Sequence, residues 1–102
     1  MSIYMQSTLQ CTGAGLLPFL ELMKKAKPIV EAAGWRLDRA FVHNTGRFNV
    51  VVDIWELEDH NAYQTGTLAL TQDPFFPEFK RGLDEYLVSE EVIFLTKTDY
   101  SP

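Results

Sequence analysis

The chain's 102 residues predict one α+β domain, a βαββαβ unit whose four strands form an antiparallel sheet with the helices on one face. Three observations carry that prediction. The first ten residues alternate apolar with polar, two segments carry apolar residues at three- and four-residue spacing, and an Asn44-Thr45-Gly46 turn signal joins two strand-like runs. This order is the ferredoxin-like topology.

Ser2 to Cys11 reads as the first strand, with Ile3, Met5, Ser7 and Leu9 on one face and Tyr4, Gln6, Thr8 and Gln10 on the other. After Thr12-Gly13-Ala14-Gly15, the positions Leu16, Phe19, Leu20, Met23, Ala26, Val30 and Ala33 form a buried helix stripe, and Gly34 closes it as a left-handed cap. Pro28 inside the stripe predicts a bend or a broken turn.

Trp35 to His43 and Arg47 to Glu56 are the second and third strands. With Gly46 in the bulge position of a three-residue loop, the register pairs Phe41 with Asn49, Arg39 with Val51, Leu37 with Asp53 and Trp35 with Trp55. Ala40, Val42, Phe48, Val50, Val52 and Ile54 would then receive the helices.

Glu58 or Asp59 caps the next helix, whose inward positions are Ala62, Tyr63, Gly66, Ala69 and Leu70. Asp73-Pro74 restarts a helix carrying Phe76, Phe79, Leu83 and Tyr86 at helical spacing, and Glu91 to Lys97 is the fourth strand.

Composition narrows the function. A net charge of -5 with no basic stripe argues against nucleic-acid binding, which needs clustered Lys and Arg against phosphates. No run approaches the length of a membrane span, so no membrane partner is expected. The single cysteine, Cys11, allows no internal disulfide and no Cys/His metal spacing, which fits a cytoplasmic protein without a bound metal. The glycines of 13–15 lack the lysine and hydroxyl residue of a phosphate loop.

The pattern resembles the NIPSNAP family of the dimeric α/β-barrel superfamily. The residues that carry the resemblance are Ile3-Tyr4, Gly34, Gly46, Asn49-Val50-Val51, Ile54-Trp55-Glu56, Asp59 and the Leu68 to Phe75 segment. The chain departs from that family where arginines are usual, at Ser7, Tyr63 and Gly66. The resemblance implies that the sheets of two chains pack into a barrel, so the expected partner is a second copy. It also implies a pocket in each subunit, between sheet and helices or within the barrel. Superfamily members include cofactor-independent monooxygenases, polyketide cyclases, lactone isomerases and haem-degrading enzymes.

The predicted register gathers a mixed set on the face without helices: Tyr4, Gln6 and Thr8, then Leu37, Arg39 and Phe41, then Asn49, Asp53 and Trp55. Apolar walls with a few polar groups suit a small apolar organic ligand. Asp53 is the candidate acid or base. Arg39 and Asn49 are candidates to stabilise an enolate, and Tyr4, Gln6, Phe41 and Trp55 are candidates to shape the wall. His60, in the first turn of a helix, is a candidate proton carrier, and no cofactor is required. Asn49, Trp55 and a histidine resemble the polar set of haem-degrading relatives, but with different spacing. The alternative is a dimeric interaction module with a filled barrel, in which Arg39 and Asp53 form a structural ion pair.

Overall fold

A computed structural model describes residues 2–102. Its elements are β1 (Ile3–Cys11), α1 (Leu16–Ala32), β2 (Arg36–Val42), β3 (Val50–Leu57), α2 (His60–Gln72), α3 (Phe76–Tyr86) and β4 (Leu87–Leu95). The strands form one antiparallel sheet in the order β2-β3-β1-β4, as the ferredoxin-like topology requires. All three helices pack on one face, and the described residues form a slab of 40 × 36 × 17 Å. That thickness holds one sheet and one layer of helices.

Local chemistry explains the helix ends. Gly34 adopts φ +112°, and the amides of Gly34 and Trp35 donate to Glu31 O and Val30 O, both at 3.1 Å. This Schellman closure fixes where Trp35 leaves α1. Asp59 caps α2 by accepting from the Ala62 amide at 3.1 Å. Helix α1 runs through Pro28 without a break, because the proline is exposed and water can take the carbonyl it leaves without a donor. Asp73 accepts from Phe75 N at 2.8 Å and so caps a turn ahead of α3, which starts at Phe76 rather than at Pro74.

The core joins alternate residues of β1 and β3 to the α1 stripe. Met5, Trp55 and Leu57 pack with Val30, while Leu9, Cys11 and Val51 pack with Phe19. Leu22, Ala26 and Phe79 tie α1 to α3. Leu22 lies where a side chain on Gly82 would stand, so the two helices approach closely there.

The register between β2 and β3 differs from the sequence expectation. The chain between the paired strands runs from His43 to Asn49, Asn49 itself takes φ +62°, and the pairs are Val42 with Val51, Phe41 with Val52, Ala40 with Asp53 and Arg39 with Ile54. A bulge between Leu37 and Arg39 then shifts the pairing, so that Leu37 faces Trp55 and Arg36 faces Glu56. Side chains alternate with period two, so this shift turns all of β3 over. Val51, Asp53, Trp55 and Leu57 point at the helices, while Val52, Ile54 and Glu56 share the open face with Tyr4, Gln6 and Thr8.

Candidate functional site

Ser7 of β1 stands directly opposite Asp53 of β3, on the helix side of the sheet. Only 4% of Asp53 is exposed, and no hydrogen bond or ion pair reaches its carboxylate from any described residue, so its oxygens meet the space of a cavity rather than a protein partner. Burial pushes its pKa up to about 6 from 3.8. Desolvation of the charged form is the cause, with no cation to oppose it.

The carboxylate opens into a cavity of about 310 Å³ between the sheet and the three helices, a volume at the lower end of the range for small-ligand pockets. Its floor is Met5, Ser7, Asp53, Trp55 and Val92, and its apolar back wall comes from Phe19, Met23 and Val30 of α1. Helix α2 adds Tyr63, Thr67 and Thr71 from successive turns of one face. Thr71 and Glu90 line the cavity while remaining exposed, so they mark its mouth. Asp53, Met23 and Trp55 also border a second apolar hollow of about 340 Å³ between α1 and β2, with Lys24 and Lys27 at its solvent edge.

One wall is a run of aromatic rings. Trp35 stacks on Tyr63 with centroids 5.8 Å apart and meets Trp55 edge-on at 5.3 Å. Its Nε1–H donates to Ala62 O at 2.7 Å, which pins the indole to α2. The ring occupies the space that a side chain on Gly66 would take. Gly66, a weak helix former, is therefore needed where it stands.

Of the residues singled out in the sequence, Asp53 and Trp55 meet at this cavity, on the face opposite to the expected one. Tyr4, Gln6 and Arg39 lie on the open face as expected, and are thereby separated from Asp53 by the sheet, while Phe41, opposite Val52 on the edge strand, also borders the second hollow, as Asp53 does. The ammonium of Lys97 sits 5.5 Å from the Tyr4 ring. Arg39 has Ile54 as its cross-strand neighbour, so the expected Arg39–Asp53 pair does not form, and the ion pair between these strands is Arg36 with Glu56. Asn49 closes the hairpin segment, where its carbonyl accepts from Cys11 N at 2.8 Å. His60 packs edge-on against Phe94, centroids 5.0 Å apart, and does not line the cavity. His43 Nδ1 lies 2.9 Å from Arg47 O in the exposed hairpin segment.

Sequence reasoning missed Ser7, Tyr63, Thr67, Thr71 and Glu90 as lining residues. The spacing of Tyr63, Thr67 and Thr71 was the available signal, since residues four apart share one helix face. Glu90 gave no such signal, because the strand predicted there began one residue later.

Chemically, the site is an apolar chamber with an unpaired carboxyl group on its floor and a hydroxyl beside it. An acid with a pKa of about 6 is mostly ionised at neutral pH yet basic enough to remove a proton.

Comparison with known proteins places this geometry. A NIPSNAP protein from Agrobacterium tumefaciens superposes with a TM-score of 0.84 at 22% identity, covering 100% of this chain and 98% of that one. An uncharacterized NIPSNAP domain protein from Burkholderia xenovorans gives 0.78 at 24%, covering 100% and 99%. SnoaB, a cofactor-independent oxygenase from Streptomyces nogalater, gives 0.71 at 15%, covering 99% and 97%. Among functionally curated proteins none matches. The sequence pattern of the NIPSNAP family matches residues 4–102, and with that span the chain belongs to the NIPSNAP family.

Proposed function

We propose that this chain is a cytoplasmic homodimer that binds a small, largely apolar organic molecule between its sheet and helices and transforms it by acid–base chemistry without a cofactor. The unpartnered carboxylate of Asp53, buried on the floor of an apolar cavity, is the observation that carries this reading. A native fold seldom buries a charge without a partner, and an active site is the common reason for one.

Asp53 takes a proton from an acidic C–H or O–H of the ligand. The resulting enolate or phenolate is the shared intermediate of cyclisation, isomerisation and reaction with dioxygen. Ser7 is the cross-strand neighbour of Asp53, and such neighbours carry Cβ atoms roughly 5 Å apart. Its hydroxyl is placed to donate to the oxygen on which charge develops. Arg39 and Asn49, on the open face and in the hairpin segment, take no part. The aromatic wall keeps bulk water from the anion.

The similarity to SnoaB, described as a cofactor-independent oxygenase, supports the type of chemistry. The helix-free sheet face supports the dimer: Phe41 is 55% exposed there and Ile93 41%, beside Val52 and Ile54. The lone buried thiol of Cys11 suits a reducing compartment.

Thermal melting against a panel of aromatic and polyketide-like compounds tests the binding step, because a bound ligand raises the melting temperature in proportion to occupancy. Turnover of any hit should fall at least about a hundredfold in Asp53→Asn, with binding retained. Turnover unchanged in that variant rules out the assignment. A panel without a single stabilising compound favours the non-catalytic interaction module instead.

A further inference from the structure

The charges and hydrogen bonds lining the cavity select among apolar ligands. Among the described residues, its charged lining groups are two carboxylates, Asp53 and Glu90, with no lysine, arginine or histidine. Lys24 and Lys27 border the other hollow and pair with Glu21 at 2.9 Å and Glu31 at 3.7 Å. An anion entering this cavity would pass Glu90 at the solvent-exposed mouth and meet Asp53 in a poorly solvated space.

The hydroxyl hydrogens on α2 are already engaged. Thr67 Oγ1 donates to Tyr63 O at 2.8 Å, and Thr71 Oγ1 donates to Leu68 O at 3.0 Å. Both threonine oxygens therefore offer acceptor lone pairs to a ligand. Trp35 Nε1–H is engaged with Ala62 O as well. Ser7, Tyr63 and Trp55 keep donors, which suit a neutral polar atom near the floor.

The two carboxylates occupy different depths. Asp53 neighbours Ser7 on one side of β1, while Glu90 neighbours Leu9 on the other, two residues further along the strand. Strand spacing and rise put their Cα atoms roughly 12 Å apart. Asp53 is buried on the floor and Glu90 exposed at the mouth, with the rings of Trp35, Trp55 and Tyr63 lining the chamber. Aromatic rings attract cations through their π systems. No three His, Cys, Asp or Glu side chains among the described residues converge to ligate a metal, so the cation this lining favours is organic.

We infer that the ligand is an amine-bearing molecule with an elongated aromatic or alicyclic body, its ammonium held by Glu90 and the acceptor oxygens of α2 at the mouth and its reacting end at Asp53. This rests on the reading of the cavity as the ligand site, and it names the substrate class for that site.

Isothermal titration of the full chain with three probes on one skeleton tests it: 2-naphthol, 2-naphthylmethylamine and 2-naphthoate. The amine should bind about tenfold tighter than the naphthol, and the naphthoate weakest of the three. In Glu90→Gln the ratio of amine to naphthol affinity should fall toward one, and added salt should lower it in the native chain. Naphthoate binding as tightly as the amine, or a ratio untouched by Glu90→Gln, overturns the inference. Naphthol binding with no preference for charge overturns it while leaving the cavity reading intact. Failure of all three probes to bind overturns both.

Discussion

The indole of Trp35 lies against Gly66, in the space where any other residue at position 66 would carry its side chain. Two effects then compete at this position. Gly66→Ala gains about 1 kcal/mol of helix propensity, but its methyl group must displace a ring anchored to Ala62 and stacked on Tyr63, and overpacking of that kind costs about 1–3 kcal/mol. We expect net destabilisation together with a change in tryptophan fluorescence. A more stable protein with unchanged fluorescence would contradict the packing described.

Asp53 makes stability depend on pH in an unusual direction. The folded state holds the Asp53 proton up to about pH 6, whereas the unfolded chain releases it near 3.8. Between those values the folded state binds more protons, so this residue's contribution falls as pH rises across the window and is level above it. Asp53→Asn removes the penalty. At pH 8 the variant should be more stable by about 2–3 kcal/mol, and the gain should vanish below pH 4. Urea unfolding across the pH range measures this, and a variant less stable at pH 8 would count against a costly buried charge.

Ala62 joins two devices through one residue. Its amide donates to Asp59 and its carbonyl accepts from Trp35 Nε1. Asp59→Ala should cost about 1 kcal/mol, and Asp59→Asn, which keeps the cap, only a fraction of that. Because the two bonds share Ala62, a double-mutant cycle of Asp59→Ala with Trp35→Phe should show coupling of about 0.5 kcal/mol or more. Strict additivity in denaturant unfolding would show that the cap and the aromatic wall are independent.

The open sheet face should bury itself against a second copy. Ile54, on the interior strand β3, points to that side. We expect sedimentation equilibrium to find a dimer at micromolar concentration, and Ile54→Glu to shift it to monomer with the far-ultraviolet circular dichroism preserved. A native chain that is monomeric at that concentration would dispose of the dimer.

The features legible in the sequence were those set by local chemistry. The alternation of β1, the stripe of α1, Gly34 as its closure and Asp59 as the cap of α2 all stand where the residues indicated. The pairing of β2 with β3 was not legible. Asn49 is of a residue type that tolerates the left-handed region, but the nearby Gly46 offered the stronger turn signal, and the bulge after Leu37 leaves no mark in residue type; each changes the count of residues on which register depends. Asp53 compounded the error. Placing Val50, Val52 and Ile54 inward hid the charge from the core, which is the right choice for stability and the wrong one for this chain. Asp53 was named for its chemistry, and its setting became visible only with the correct face of β3 in view.

A slab 17 Å thick has no deep interior. One layer of helices over the sheet leaves only the cavity lining between Asp53 and the medium, so the acid–base role proposed for it would need no long relay of side chains. The same thinness means that depth cannot keep Asp53 dry, and in the native chain that task falls to the rings of Trp35, Trp55 and Tyr63.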